Sequence, residues 1–392
     1  MRRLAVCTAI ITITAAATTA PAAYGSPGSG PTAKYGVTDL GTLGGTFSGP
    51  IDIDTRGEVT GVSTNVGDTA LRGFIWRRGV LTDLGTLGGP QGAGAGINSS
   101  GQVEGWSDLT ARVGPSIFNQ TSLFCNPPMV VGQPTVACRA TLWENGKLTD
   151  LGTLGGQNSA GQNKGINEQG QVVGQAETAA ADPTGTKGSL KFHAFVWQRE
   201  TGRKSQRGRM IDLGTLGNDP DSLAAGINDR GQVVGMSIKN GAAFAGDNGY
   251  GFLWQHGVMT PLGTLGGEFS APAAINNRGQ VVGHASTPRN RTMHATMWYQ
   301  GRTLDLGTLP GDVFSEASDI TDDGQIFGIS CSSAGCRATT WNASDVIDLN
   351  TQISPDSGWH LDDAQAGNLN GQIVGDGGHD GLPHAYLLDR AH

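Results

Sequence analysis

The sequence predicts an all-β chain, a seven-bladed β-propeller of four-stranded antiparallel blades, and three observations predict it. The phrase DLGTLGG or a degraded copy recurs at Asp39, Asp83, Asp150, Asp212, Pro261, Asp305 and, as DLNTQIS, at Asp348. Between copies come an I-N-x-x-G-Q-V-V-G segment and a small-residue and aromatic segment ending in Trp, always in that order. A fixed order of phrases means one supersecondary unit built repeatedly. Composition agrees: 63 of 392 residues are Gly and only 15% are charged, which suits short strands and tight turns.

The repeat from Ala224 to Leu265 reads most cleanly. Ala224 to Asn228 is a first strand, Asn228-Asp229-Arg230-Gly231 a turn, and Gln232 to Ser237 a second strand. Gly251 to Trp254 is a third strand, His256-Gly257 a turn, and Val258 to Gly263 a fourth. One such sheet buries too little apolar surface to stand alone, so it must stack on its neighbours. The chain ends choose between a solenoid and a ring. Tyr35 to Leu43 is a fourth strand with nothing before it, and His384 to Leu388 a third strand with nothing after it. A ring in which the N-terminal strand completes the last blade resolves both and leaves no open sheet edge. The third strands then end at Trp76, Trp143, Trp197, Trp254, Trp298, Trp341 and Leu388.

Residues 1–22 read as a secretory signal peptide: Arg2 and Arg3, an apolar stretch from Leu4 to Ala17, and the small-x-small pattern Ala20-Pro21-Ala22. Residues 23–34 form a flexible Gly/Pro/Ser-rich segment, and residues 35–392 a single propeller domain. The expected location is secreted, extracellular. Without Arg2 and Arg3 the net charge moves from -8 to -10 (24 basic against 34 acidic residues), so nucleic acid is not an expected partner. No apolar run reaches membrane-spanning length. A monomer is expected.

Cys7 leaves with the leader, and an even four remain. Cys138 and Cys336 stand at the same position of two repeats, each with one cysteine upstream, which gives the pairs Cys125–Cys138 and Cys331–Cys336. Those loops are worth roughly 3 and 2 kcal/mol of chain entropy. A four-thiolate metal site needs a spacing that is absent.

The phrases His193-Ala194-Phe195-Val196-Trp197, His294-Ala295-Thr296-Met297-Trp298 and His384-Ala385-Tyr386-Leu387-Leu388 resemble the HAF family of bacterial extracellular repeat proteins. The other two phrases carry the same resemblance, over essentially the whole mature chain. Arg72, Arg139, Tyr250 and Arg337 replace the lead His in the remaining repeats. The resemblance implies export and repeat architecture, and it carries no catalytic residues.

Loop lengths point to a ligand surface. The turns after the first and third strands are nearly constant, and belong to one rim. The loops between Gly105 and Trp143, Gly174 and Trp197, and Gly235 and Trp254 are long, consecutive, and expected to raise a wall over one side of the same rim. Trp106, Phe118, Phe124, Phe244 and Tyr250 are its expected binding residues. No metal and no cofactor is expected: Asn-Asp-Arg-Gly and Thr321-Asp322-Asp323-Gly324 read as turns rather than calcium loops. The last blade does concentrate possible ligands, Asp376 to His384 with His360, Asp362 and Asp363. The Trp series reads as inter-blade packing and the Asp of DLGTLGG as a cap on turn amides. No G-x-S-x-G elbow, H-E-x-x-H or phosphate loop is present, so no catalytic residue is assigned. A non-enzymatic scaffold for an extracellular carbohydrate or protein follows. The alternative is a propeller hydrolase or lyase acting on polysaccharide, which needs perturbed carboxylates converging in the central funnel; an aromatic-lined rim favours the binder.

Overall fold

A computed structural model describes residues 33–112, 136–182, 190–200, 208–239, 249–342 and 345–391. Seven antiparallel sheets follow one another along the chain, each a meander, in a seven-bladed β-propeller. The first six begin with the strands Gly44–Ile53, Gly92–Ile97, Gly155–Ile166, Asp221–Ile227, Ser270–Ile275 and Phe314–Ile320. The seventh begins with two short pieces, Trp359–Leu361 and Ala366–Gly367. These first strands are innermost, since residues from all seven sheets line one central cavity of about 220 Å³.

Ring closure is as the chain ends imply. Tyr35–Asp39 is the outer strand of the seventh blade, running antiparallel to Leu382–Arg390 with Tyr35 opposite Arg390 and Asp39 opposite Tyr386. In the fourth blade the strands are Asp221–Ile227, Val233–Ile238, Gly249–Gln255 and Val258–Pro261, longer at the loop end than the apolar pattern alone suggests. The extension has a cause. Ser222 at the start of the inner strand accepts a hydrogen bond from the Ala194 amide of the preceding blade (2.9 Å). Ser48, Ser159, Ser270 and Ser315 do the same for Ala385, Ala140, Gly251 and Ala295.

Each recurring phrase is a contact between blades. The Leu after the Asp of DLGTLGG packs with the Trp of the next blade: Leu40 with Trp76, Leu84 with Trp143, Leu151 with Trp197, and Leu306 with Trp341. Trp298 adds a hydrogen bond from Nε1 to the Gly263 carbonyl of the blade before (2.8 Å). The Asn of I-N-x-x-G also reaches across. Asn228 Nδ2 donates to the Asn276 carbonyl (3.0 Å), and Asn98, Asn167, Asn276 and Asn368 form equivalent latches. Its Oδ1 meanwhile closes the turn by accepting from the Arg230 and Gln232 amides. The Gly of Q-V-V-G is imposed by sterics. A Cβ on Gly235 would lie 2.0 Å from the Leu223 carbonyl, beside the register shift between Ala224 and Gly226.

One expectation is corrected. The strand ends from which the long loops leave do not lie at the rim that carries the constant turns. An antiparallel meander alternates ends, so the turns after the first and third strands mark one rim, and the loops after the second strands, with the DLGTLGG segments, mark the other.

Candidate functional site

At the turn rim the channel is bridged by charge. The inner strand of blade three holds two residues more between Ser159 and Ile166 than blade four holds between Ser222 and Ile227. This extra length presents Lys164 (φ 60°), whose Nζ lies 2.9 Å from Asp52 of blade one and 3.1 Å from Asp319 of blade six. The Ile97 amide donates to Asp52 Oδ2 and the Gly367 amide to Asp319 Oδ2. Burial pulls the ammonium towards neutrality, but the two carboxylates outweigh it and raise its pKa; burial likewise raises Asp319 against the opposing pull of Lys164. Glu104 lies close by, fully buried, where other repeats carry Val173, Val234 or Val282. Burial holds its pKa well above the usual carboxylate range, with the Gly165 amide opposing.

Toward the loop end the repeat breaks differently in two halves of the ring. The residue after the Gly of Q-V-V-G stands opposite the inner strand in register: Val62 with Gly49, Trp106 with Ala93, Gln175 with Ala160, Met236 with Leu223, His284 with Ala271, and Ile329 with Glu316. Asp376 holds this position in blade seven, where its carbonyl accepts from the Asp362 and Asp363 amides. Trp106, Leu223 and Met236 therefore share one apolar cluster on blades two to four. Blades five to seven carry His284, Glu316, Asp363 and Asp376, while blades two and four add the buried carboxyls Asp108 and Asp221. His284 Nδ1 and Glu316 Oε1 are 3.5 Å apart, with the Phe269 and Phe314 rings flanking the imidazole. Burial, then Asp376 and Glu316, raise Asp363 well above the carboxylate range, and burial, then Asp362, raises Asp376 to about 7. His284 Nδ1, Glu316 Oε2 and Asp363 Oδ1 have no hydrogen-bond partner among the described residues. Such atoms are costly to bury unpaired and are disposed to accept or donate to a polar ligand.

The expected binding residues divide. Trp106 is 4% exposed and packs with Ala160, Phe192 and Leu223, so its indole belongs to the core. Tyr250 is half-buried at the loop end of blade four, with Lys239 Nζ 4.1 Å from its ring centroid. Phe118, Phe124, Phe244 and Cys125 lie outside the described residues. Cys331 and Cys336 form the expected disulfide across one hairpin, with Cα atoms 4.0 Å apart. Cys138 is disulfide-bonded as well, and the residue expected to pair with it is Cys125.

Sequence reasoning missed His284, Glu316, Glu104 and Lys164, and gave the lead His of each aromatic phrase no role. That His lies against the DLGTLGG Asp: His193 with Asp212, His294 with Asp305, and His384 with Asp39. Arg72, Arg139 and Arg337 pair with Asp83, Asp150 and Asp348. Blade four replaces both partners together, with Tyr250 and Pro261. The expected turn cap is present too, as in Gly41 N to Asp39 Oδ1 (2.7 Å). Of the ligands concentrated in the last blade, His360 pairs with Asp362 (2.8 Å), whereas His379 and His384 converge on Asp39.

Seven sheets in a closed ring define a β-propeller, and comparison with solved structures agrees. The chain is similar to the β-propeller domain of the Trilobed protease from Pyrococcus furiosus, a propeller of open velcro topology (9% identity, TM-score 0.50, 88% of this chain and 93% of that one). It also matches Pyrococcus horikoshii acylaminoacyl peptidase (10%, 0.48, 90% of this chain) and Trypanosoma rangeli sialidase (7%, 0.40, 79% of this chain and 56% of that one). The chain spans about half of the peptidase, 53%. At these identities the likeness shows the fold alone. No family model matches the chain, and no curated protein matches it.

Proposed function

We propose that this chain is an exported propeller of the HAF repeat type that acts as a binding scaffold, taking a polyhydroxylated, carbohydrate-class ligand at the loop end of its channel. The observation that carries the reading is the group His284, Glu316, Asp363 and Asp376 on blades five to seven, in which His284 Nδ1, Glu316 Oε2 and Asp363 Oδ1 have no hydrogen-bond partner among the described residues, with the partly buried Val62 and Met236 as apolar contacts from other blades. Sugars present hydroxyl edges and apolar faces together, and a site with both characters on a rigid scaffold matches them. Variable length between the second and third strands of blades two to four supports the same reading, with Tyr250 at the loop end of blade four as an aromatic anchor. A glycan array probed with the mature protein tests the reading. Capture of a defined glycan class, lost in Glu316→Gln and reduced by shortening the loop between Gly105 and Trp143, supports it; capture untouched by both changes overturns it.

One observation favours a second reading. Asp363 and Asp376 are neighbouring carboxyls whose raised pKa values keep a proton available near neutrality, as a general acid acting on a glycosidic oxygen requires. Release of reducing ends from the captured glycan, abolished by Asp376→Asn, would convert the binder into a hydrolase. Binding without turnover leaves the scaffold reading in place.

A further inference from the structure

The seam that closes the ring differs from every other blade in its outer-strand ion pair. In blades three and five a single imidazole faces the Asp: His193 on Asp212 and His294 on Asp305. Blade seven adds a second. His384 Nδ1 lies 2.8 Å, and His379 Nδ1 3.6 Å, from the same Asp39 Oδ2. The three ligand atoms all lie within 4.8 Å of one another. Asp39 Oδ1 is already occupied by the Gly41 amide, which aims Oδ2 at the two rings. The extra imidazole is also held. His379 stacks on Trp359 with centroids 4.5 Å apart and planes 3° from parallel, and its Nε2 lies 4.0 Å from Asp380 Oδ2.

We propose that Asp39, His379 and His384 form a transition-metal site of the zinc class that staples the N-terminal strand to the last blade. Tetrahedral zinc with ligand bonds of about 2.0–2.1 Å sets its donor atoms roughly 3.3 Å apart, between the two imidazole–carboxylate distances here. Two imidazoles and one carboxylate are a common protein set for this ion, with solvent as the fourth ligand. Metal binds neutral imidazole, so occupation requires the His384 Nδ1 proton facing Asp39 to leave that nitrogen, either to solvent or by a tautomer change to Nε2. Asp380 Oδ2, 4.0 Å from His379 Nε2, stands at the ring's far nitrogen, the side from which an outer hydrogen bond orients a metal-bound imidazole. Asp39 comes from the first strand of the chain and both imidazoles from the last hairpin, so the ion would bind the closed ring and not the opened one.

Calorimetric titration of the full mature chain with Zn2+ alone, beside thermal melts with and without the metal, tests this. One saturable equivalent per chain and an upward shift in Tm are expected. His379→Ala, which leaves the His384–Asp39 pair intact, should weaken the site at least tenfold and cancel the Tm shift. His294→Ala removes an imidazole of the same kind from a blade that lacks the second one, and should leave Zn2+ affinity unchanged. Substituting Co2+ should give a visible absorption band of a tetrahedral site, lost in His379→Ala. The proposal fails if no saturable equivalent is found, if His379→Ala binds as the natural chain does, or if His294→Ala weakens binding equally.

Discussion

The two rims of this propeller are built from the same repeats and obey opposite rules. At the turn rim the phrases are nearly invariant, each Asn latch serves its own turn and the next blade, and the channel is bridged by Lys164 with Asp52 and Asp319. At the loop rim the register position after each Gly runs from Val62 through Trp106 and His284 to Asp376, and several buried polar atoms have no hydrogen-bond partner among the described residues. A ring needs identical contacts only where identical blades must meet at a fixed angle. The Asn latches carry that duty at the turn rim and the serine bonds at the loop end, which leaves the connections between second and third strands and the positions after each Gly free to vary.

The sharpest way to break the contrast is to remove the bridge. Lys164→Met leaves Asp52 and Asp319 facing each other without their cation, and should cost about 3 kcal/mol in urea denaturation. A change under about 1 kcal/mol would show that the turn rim does not depend on it. Glu104→Val should move stability the other way. It restores the residue that neighbouring repeats carry and deletes a fully buried carboxyl whose pKa burial holds well above the usual range, so a gain of about 1–3 kcal/mol in the same measurement is expected. A loss would mean that Glu104 is held by its surroundings after all.

A single latch is worth less. Asn228→Ala removes the hydrogen bond to the Asn276 carbonyl and the turn closure at once, for about 1–2 kcal/mol. The loop rim should respond to pH. Asp108 and Asp376 are raised to about 7, chiefly by burial, from the ordinary range of a carboxylate. The folded state holds these protons more tightly than the unfolded one, so their contribution is complete below about pH 4 and is lost as pH rises through about 7. Melts across that window should show Tm falling, and Asp376→Asn should flatten the slope. Smallest of all, Tyr250→Ala on the exposed rim should change stability by less than about 0.5 kcal/mol while weakening ligand capture. A large loss of stability there would make Tyr250 a packing residue, as the structure makes Trp106.

Much of the fold was legible because its signals are periodic and local. The blade count, the order of strands and closure by Tyr35–Asp39 all follow from where each phrase starts and stops. Even the missed residues left traces. Glu104 stands out as GQVEG among GQVVG copies, and Lys164 sits in the one inner strand with extra length. The pairing of lead His with DLGTLGG Asp was visible in the joint departure of Tyr250 and Pro261. What stayed hidden was proximity across blades: no spacing brings His284 to Glu316, which meet only when adjacent blades pack, or Asp39 to His379, which meet only after the ring has closed.

The sequence by itself determined that this is a repeat of four-stranded units, where each unit begins, and that the first strand must complete the last. Those are statements about turns, alternation and apolar period, which depend on neighbours in the chain. Only the tertiary structure decided which rim carries the long loops, that Trp106 is packed away, and that charges from blades one, three and six meet at one point in the channel. Strand direction and ring closure set those distances, and the side chains concerned are separated by as many as 345 residues, as are Asp39 and His384.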